Sequence, residues 1–332
     1  SIANLNNAGI FHSPITGRLS NGFCPYPMSN SLNNVIRQAE QIILGKPQQI
    51  RLALTCLLAR GHLLIEDLPG TGKTTLAHVL ASSLGLQFQR IQFTSDLLPA
   101  DILGVSVFQR DSSEFKFHPG PIFSQMILAD EINRATPKAQ SALLEAMEEQ
   151  QVTIEGTTRV LPAPFFVIAT QNPSHQIGTF ALPESQLDRF LMRIQMGYPD
   201  AHAERNLLSG VDRREIVAQL TPQMDSGELL ALQQQAKTVF ISPALLDYVQ
   251  AILRYTRESN RYTQGLSPRA GLALVAASRA WALLNERNAV IPEDVQAVLP
   301  GVVSHRLQAT GDYARQSSDE LVRKLIEAVA IP

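Results

Sequence analysis

Apolar positions along this chain switch repeatedly between a helical spacing and short continuous runs. Val35, Ala39, Ile42 and Ile43 fall on one face of a helix, and Ile50, Leu54, Leu57 and Leu58 on one face of the next. His62–Glu66 (HLLIE) is a short apolar run, and a Gly-rich turn follows it. Lys73–Leu84 returns to the helical period, Phe88–Phe93 reads as a strand, and Met126–Ala129 is strongly apolar. Gln140–Met147 is again helical, and Phe165–Ala169 (FFVIA) is a third candidate for a buried strand. Apolar runs of this kind, separated by helices, predict a parallel sheet covered on both faces. After Tyr198-Pro199 the strand signals cease, and residues from about His202 to Ile331 read as helices only. The expectation is an α/β core with a parallel sheet over 32–201, followed by a C-terminal all-helical lid over 202–332.

Residues before Leu32 behave differently. Ser1–Asn30 is rich in Asn, Ser, Gly and Pro, without a sustained period, and Met28 opens the first patterned region. Residues 1–31 are therefore expected to be a disordered tail or an extraneous extension. The stretch lacks the charged start and apolar middle of a secretory signal.

Composition narrows the class. A chain of 332 residues exceeds one compact core of ordinary size, so two packed domains are expected. Hydrophobic residues make up 45% and charged residues 17%, which suits a globular protein. The net charge of −2 gives no electrostatic footprint for nucleic acid or an anionic membrane. Cys24 and Cys56 match no metal spacing and form no disulfide framework, which points to a reducing, cytoplasmic compartment. The seven histidines also lack a zinc spacing. No apolar run approaches the roughly 18 residues of a spanning helix, and Arg60 and His62 interrupt the best candidate.

Candidate chemistry begins between the first apolar run and the helix after it, at Pro69-Gly70-Thr71-Gly72-Lys73-Thr74-Thr75. Triphosphate binding needs backbone N–H groups converging on oxygen atoms, and glycine lets the backbone approach closely. The positive end of the following helix adds attraction. Lys73 is placed to reach the β and γ phosphates, and the Thr74 hydroxyl to hold Mg²⁺. Asp67 stands where the generic pattern has its first glycine. Met126–Ala129 then delivers Asp130 and Glu131 at its carboxyl end, where a doubly wound sheet places its ligand chemistry. Asp130 suits the Mg²⁺ shell, and Glu131 suits a general base acting on water. The cofactors expected are ATP and Mg²⁺.

Asp130-Glu131-Ile132-Asn133-Arg134-Ala135 resembles the Walker B region of MoxR-type AAA+ ATPases, a group in the clade with an insert in helix 2. The resemblance continues through most of the chain after Leu32. Ser95–Gly104 is similar to the segment after the second strand, and Gln171-Asn172-Pro173 to sensor 1. Leu182–Phe190 is similar to the stretch carrying the arginine finger, Ser267-Pro268-Arg269-Ala270 to sensor 2, and Pro292–Val295 to the late lid. The resemblance implies that Asn172 orients the attacking water and that Arg189 is donated across a subunit boundary, with Arg193 as its rival. It implies further that Arg269 reaches the phosphates from the lid. Two hairpins, Val105–Phe108 with Glu114–Phe117 and Val152–Glu155 with Arg159–Leu161, correspond to insertions that approach the pore of a ring. Phe115 and Phe117 are candidates to grip a partner, although alternate aromatic residues also pack onto their own sheet.

The function implied is ATP hydrolysis by a homo-oligomeric ring, hexameric by resemblance, that remodels or matures partner proteins, metal-centre assembly included. Clients with a von Willebrand factor A domain are implied as partners, with no nucleic acid and no membrane insertion. A nucleic-acid translocase and a low-turnover nucleotide-sensing scaffold are the alternatives.

Overall fold

The computed structural model of the chain describes residues 30–331, apart from 112, 173–177, 211–212 and 312–316. Helices α1 (Asn30–Ile42) and α2 (Pro47–Leu58) open it and bury the faces that the spacing predicts. The strands in chain order are β1 (Leu63–Glu66), β2 (Phe88–Gln92), β3 (Gly104–Gln109), β4 (Glu114–Pro119) and β5 (Met126–Asp130). They continue with β6 (Gln151–Ile154), β7 (Thr157–Val160), β8 (Phe166–Gln171) and β9 (Met192–Ile194). Between them lie α3 (Lys73–Ser83), α4 (Pro99–Leu103), α5 (Pro137–Glu149) and α6 (Glu184–Leu187).

Five of the strands form one parallel sheet in the order β2-β5-β8-β1-β9. Its side chains alternate between two apolar layers. Leu63, Ile65, Met126, Leu128, Phe166 and Ile168 pack with α1, α2, α3 and the lid. Leu64, Ile127, Ala129, Val167 and Ala169 pack with α4 and α5. Burial on both faces is why these strands read as unbroken apolar runs rather than as alternation. The two predicted hairpins are the antiparallel pairs β3–β4 and β6–β7, outside the main sheet.

From Ala201 onward the described residues hold helices and two isolated bridges, with no strand. The helices are α7 (Ala201–Ser209), α8 (Arg213–Ala218), α9 (Ser226–Thr238), α10 (Pro243–Glu258), α11 (Pro268–Leu284), α12 (Pro292–Val303) and α13 (Ser318–Ala328). The lid shares the larger apolar layer with α1, α2 and one face of the sheet. Gln233 Nε2, in α9, donates to Leu57 O at 2.8 Å across that junction.

The pattern of apolar residues did not predict β9. It is three residues long and pairs with β1 along Leu63↔Met192 and Ile65↔Ile194. Three residues are too few for a period to emerge, and only the neighbouring strand fixes them as extended. Of the expected tail, Asn30 and Ser31 belong to α1, while residues 1–29, Cys24 among them, lie outside the described residues.

Candidate functional site

Two polar constellations stand at opposite edges of the sheet. The first is at the carboxyl edge, where β1 ends at Glu66 and α3 begins at Lys73. Gly70 and Gly72 have φ of 81° and 88°, the left-handed region that glycine adopts without cost. A Cβ at either would meet nothing within 4 Å, so backbone conformation and room above the loop, not packing, call for glycine there. Gly72 is the N-cap of α3 and no side chain caps the helix, which leaves its positive end to a ligand. Pro69 and Gly70 are exposed, while Thr71, Gly72, Thr74 and Thr75 are half-buried.

Lys73 is buried, and Nζ donates to Asp67 O at 2.6 Å, Leu68 O at 3.2 Å and Asn172 Oδ1 at 3.2 Å. Burial lowers its pKa, against the opposing pull of Asp67, Asp130 and Glu131. Asp67, the departure from the generic loop, is tied down on both carboxylate oxygens. Oδ1 accepts from Leu68 N at 2.7 Å and Oδ2 from Gly197 N at 2.5 Å. Its charge is thereby engaged by two backbone N–H groups.

At the end of β5, Asp130 Oδ1 accepts from the Thr170 hydroxyl at 2.6 Å, and Oδ2 from Arg90 Nη2 at 2.6 Å. Thr170 Oγ1 in turn accepts from Glu131 N at 2.9 Å. Glu131 has φ 57° and ψ 49°, a conformation rare outside glycine and concentrated at functional sites. Its Oε1 accepts from Asn172 Nδ2 at 3.1 Å and its Oε2 from Gln92 Nε2 at 3.2 Å. Arg134 Nε lies 3.0 Å from the same Oε2. Lys73, Asp130, Glu131 and Asn172 thus meet as their sequence context predicts, and Pro173 lies outside the described residues. Arg90, Gln92 and Thr170 were not foreseen. Their signal was faint: Arg90 and Gln92 are alternate polar residues on one face of β2, beside a strand that sequence could not specify.

The second constellation sits at the amino edge. His62 precedes β1, its Nε2 lies 3.2 Å from Met147 O, and its carbonyl accepts from Leu191 N at 2.9 Å. The end of α5 and the segment Arg189–Leu191 therefore gather where β1 begins, a strand's length from the Gly-rich loop. At roughly 3.3 Å per residue that strand is about 13 Å long. Arg189 Nε and Arg269 Nη2 both pair with Glu148, at 2.9 and 2.8 Å. Asp188 pairs with the buried Arg306 at 2.6 Å and lies 4.0 Å from Arg269 Nε. Arg269 therefore stands away from Lys73 of its own chain. It starts α11, packed at the other edge, and joins Arg189 there. Arg193 is 15% exposed and held internally by Glu66 at 3.4 Å, Ser304 O at 2.9 Å and Ser318 Oγ at 3.2 Å.

These residues suit a nucleoside triphosphate with its divalent cation. An uncapped helix start, a buried lysine and an open glycine cradle are features that phosphates need, and the Thr74 and Asp130 oxygen atoms are of the hard kind that Mg²⁺ takes. Elsewhere among the described residues, no cluster of three or more His, Cys, Asp or Glu could hold a metal.

Comparison with known proteins agrees. The family model described as "ATPase family associated with various cellular activities (AAA)" matches residues 62–192, and an AAA lid domain matches residues 254–325. The fold and site define an AAA ATPase, an ATP hydrolase. The chain is 41% identical to Chaperone MoxR1 of Mycobacterium tuberculosis, covering 91% of this chain and 83% of that one. It is 42% identical to the uncharacterized protein YeaC of Bacillus subtilis, covering 91% and 95%. A crystal structure from Cytophaga hutchinsonii, provisionally assigned as an ATPase, superposes with a TM-score of 0.84 at 35% identity, covering 91% of this chain and 95% of that one. The chain belongs to the MoxR group of AAA ATPases.

Proposed function

We propose that this ATPase works as a homo-oligomeric ring, hexameric by resemblance, that couples MgATP hydrolysis to remodelling or maturing partner proteins. The observation that carries the ring is the separation of the two constellations. Arg189 and Arg269 stand a strand's length from the phosphate loop of their own chain, so the nucleotide they serve is a neighbour's.

Within one site, Lys73 binds the β and γ phosphates, and Thr74 with Asp130 holds Mg²⁺. A cation held there would offset the charge of the phosphate oxygens. Asn172 and Glu131 position a water for attack on the γ phosphorus, and Glu131 takes its proton as ADP leaves. Arg189 of the next subunit neutralises charge that develops on the transferring group; its rival Arg193 is engaged within its own chain. A cavity of about 370 Å³ between α2, β9 and the lid, walled by Leu52, Ile194 and Met196 together with polar Gln49, Gln195 and Ser304, has both the apolar and the hydrogen-bonding groups that an adenine base takes. It borders Gly197, whose N–H binds Asp67 at the start of the phosphate loop.

The β3–β4 hairpin supports a protein client. Phe115 is 72% exposed and packs edge-on against the half-exposed Phe108. Phe117 instead packs on Phe123, with the Arg159 guanidinium 3.9 Å above its ring. The one basic side chain of the β6–β7 hairpin is thus stacked on an aromatic ring, which disfavours a phosphate channel and the translocase alternative. No helix among the described residues is long and apolar enough to cross a membrane, and a cytoplasmic site of action fits this reading.

Two measurements test the proposal. Turnover per subunit should rise with protein concentration as rings form. Turnover should also respond to a protein containing a von Willebrand factor A domain, with co-elution that depends on nucleotide, and not to DNA at moderate salt. Stimulation by DNA with a steep salt slope, without response to the protein, would favour the translocase.

A further inference from the structure

Glu148 lies in the last turn of α5 and holds two arginines from distant parts of the chain, one on each carboxylate oxygen. Oε2 takes Arg189 Nε at 2.9 Å, and Oε1 takes Arg269 Nη2 at 2.8 Å. Arg189 follows α6 in the core, whereas Arg269 starts α11 in the lid. Two guanidinium groups repel at this range, and Glu148 is the carboxylate that pairs with both, Asp188 adding a longer contact of 4.0 Å to Arg269 alone.

The post itself is anchored. Met147 O, one residue earlier, binds buried His62, which also accepts from Val167 N at 3.0 Å. The far side of the cluster is fixed by Arg306, whose side chain is 6% exposed and paired with Asp188. Three guanidinium groups against the carboxylates of Glu148 and Asp188 leave one positive charge in excess at a partly exposed surface. Arg189 has no other ion pair among the described residues and engages Glu148 through Nε.

We propose that Glu148 is a positioning residue: it sets Arg189 and Arg269 as one cationic clamp that is offered to the nucleotide of the adjoining subunit. Because Arg269 belongs to the lid, the same carboxylate makes the position of the lid part of the geometry of the clamp. The inference rests on the ring reading above and extends it to a residue with no contact to its own nucleotide.

The test uses the full chain with Glu148→Ala and Glu148→Gln. ATP affinity, set by the chain's own phosphate loop, should stay within about twofold of the parent, while kcat falls about tenfold or more. Glu148→Gln keeps the shape without the charge, and it decides the question in the same way if Glu148→Ala fails to fold. Each variant is then mixed with Glu131→Gln in rings verified by sizing, beside a parallel mixture of Arg189→Ala with Glu131→Gln. Recovery of turnover in both mixtures is expected, since an intact Glu131 then faces an intact Glu148 and Arg189. If the Arg189 mixture recovers and the Glu148 mixture does not, Glu148 acts within its own chain and the inference fails alone. If neither recovers, the trans reading fails and takes the inference with it. Unchanged kcat in Glu148→Gln, or a loss confined to ATP affinity, also overturns it.

Discussion

Lys73 Nζ lies 3.2 Å from Asn172 Oδ1, and the amide of the same Asn172 donates to Glu131 Oε1 at 3.1 Å. One side chain at the end of β8 thereby joins the lysine proposed to bind the phosphates to the carboxylate proposed as the base. Lysine can only donate and an ionised carboxylate can only accept, so an amide, with one group of each kind, suits the place between them.

Two substitutions separate the halves of this chain of contacts. Lys73→Ala removes the buried charge and should weaken ATP binding by about a hundredfold, the scale of two charge-assisted hydrogen bonds. Glu131→Gln should bind ATP as the parent does and lose nearly all turnover, because an amide cannot take the proton. Isothermal titration and phosphate release report the two effects separately. Equal hydrolysis by Glu131→Gln and the parent would remove Glu131 from the role of base.

Arg90 occupies the same Asp130 oxygen, Oδ2, with both Nε and Nη2, at 3.1 and 2.6 Å. A cation there would compete with Mg²⁺ for the carboxylate. Because the Arg90 side chain is 47% exposed, the effect is modest: Arg90→Ala should lower the Mg²⁺ concentration for half-maximal turnover by about two- to fivefold. Magnesium titrations at saturating ATP measure it. A higher requirement would show that Arg90 supports the cation site instead of competing for it.

Asp67 binds the backbone at two places, in its own loop through Leu68 N and in the segment after β9 through Gly197 N. Restoring the generic glycine with Asp67→Gly removes both bonds and loosens the loop, at a cost of about 1–2 kcal/mol in unfolding free energy. Asp67→Asn retains one acceptor oxygen and should lose about half as much. Urea titrations of the three proteins decide; no difference between Asp67→Gly and the parent would show that the tie to Gly197 contributes nothing to stability.

His62 carries the clearest pH dependence. Burial pushes its pKa down to about 4, against the opposing pull of the Met147 carbonyl, and Nδ1 must stay unprotonated to accept from Val167 N. A folded-state pKa below the unfolded value means that the unfolded chain takes up the proton first. Stability is therefore full above about pH 6.5 and falls as pH drops toward about 4, by about 2 kcal/mol between pH 7.5 and pH 5. Buried His305 shifts in the same direction and adds to the loss. Denaturation curves at the two pH values, on the parent and on His62→Gln, isolate the share of His62. An equal loss in both proteins would assign the effect to other groups.

The amino-acid sequence by itself determined the local elements and the chemistry of one edge. Apolar runs too long to alternate mark β1, β5 and β8 as strands buried on both faces, and glycines at 70 and 72 before Lys73-Thr74 mark a phosphate loop. Asp130 and Glu131 at the end of β5 and Asn172 after β8 are legible because each closes an apolar run that the neighbouring strands align at one edge. Tertiary structure alone decided what lies across from what. The pairing of β2 with β5 brings Arg90 and Gln92 onto Asp130 and Glu131. The short strand β9 is extended because β1 offers its free edge, and Arg193 is turned inward there to hold the lid. Most consequentially, the packing of the lid places Arg269 on Glu148 beside Arg189, at the edge away from its own phosphate loop. Contacts within an element follow from spacing along the chain. Contacts between elements far apart in sequence depend on which surfaces remain to be covered once the sheet and its layers have formed, and no local pattern carries that.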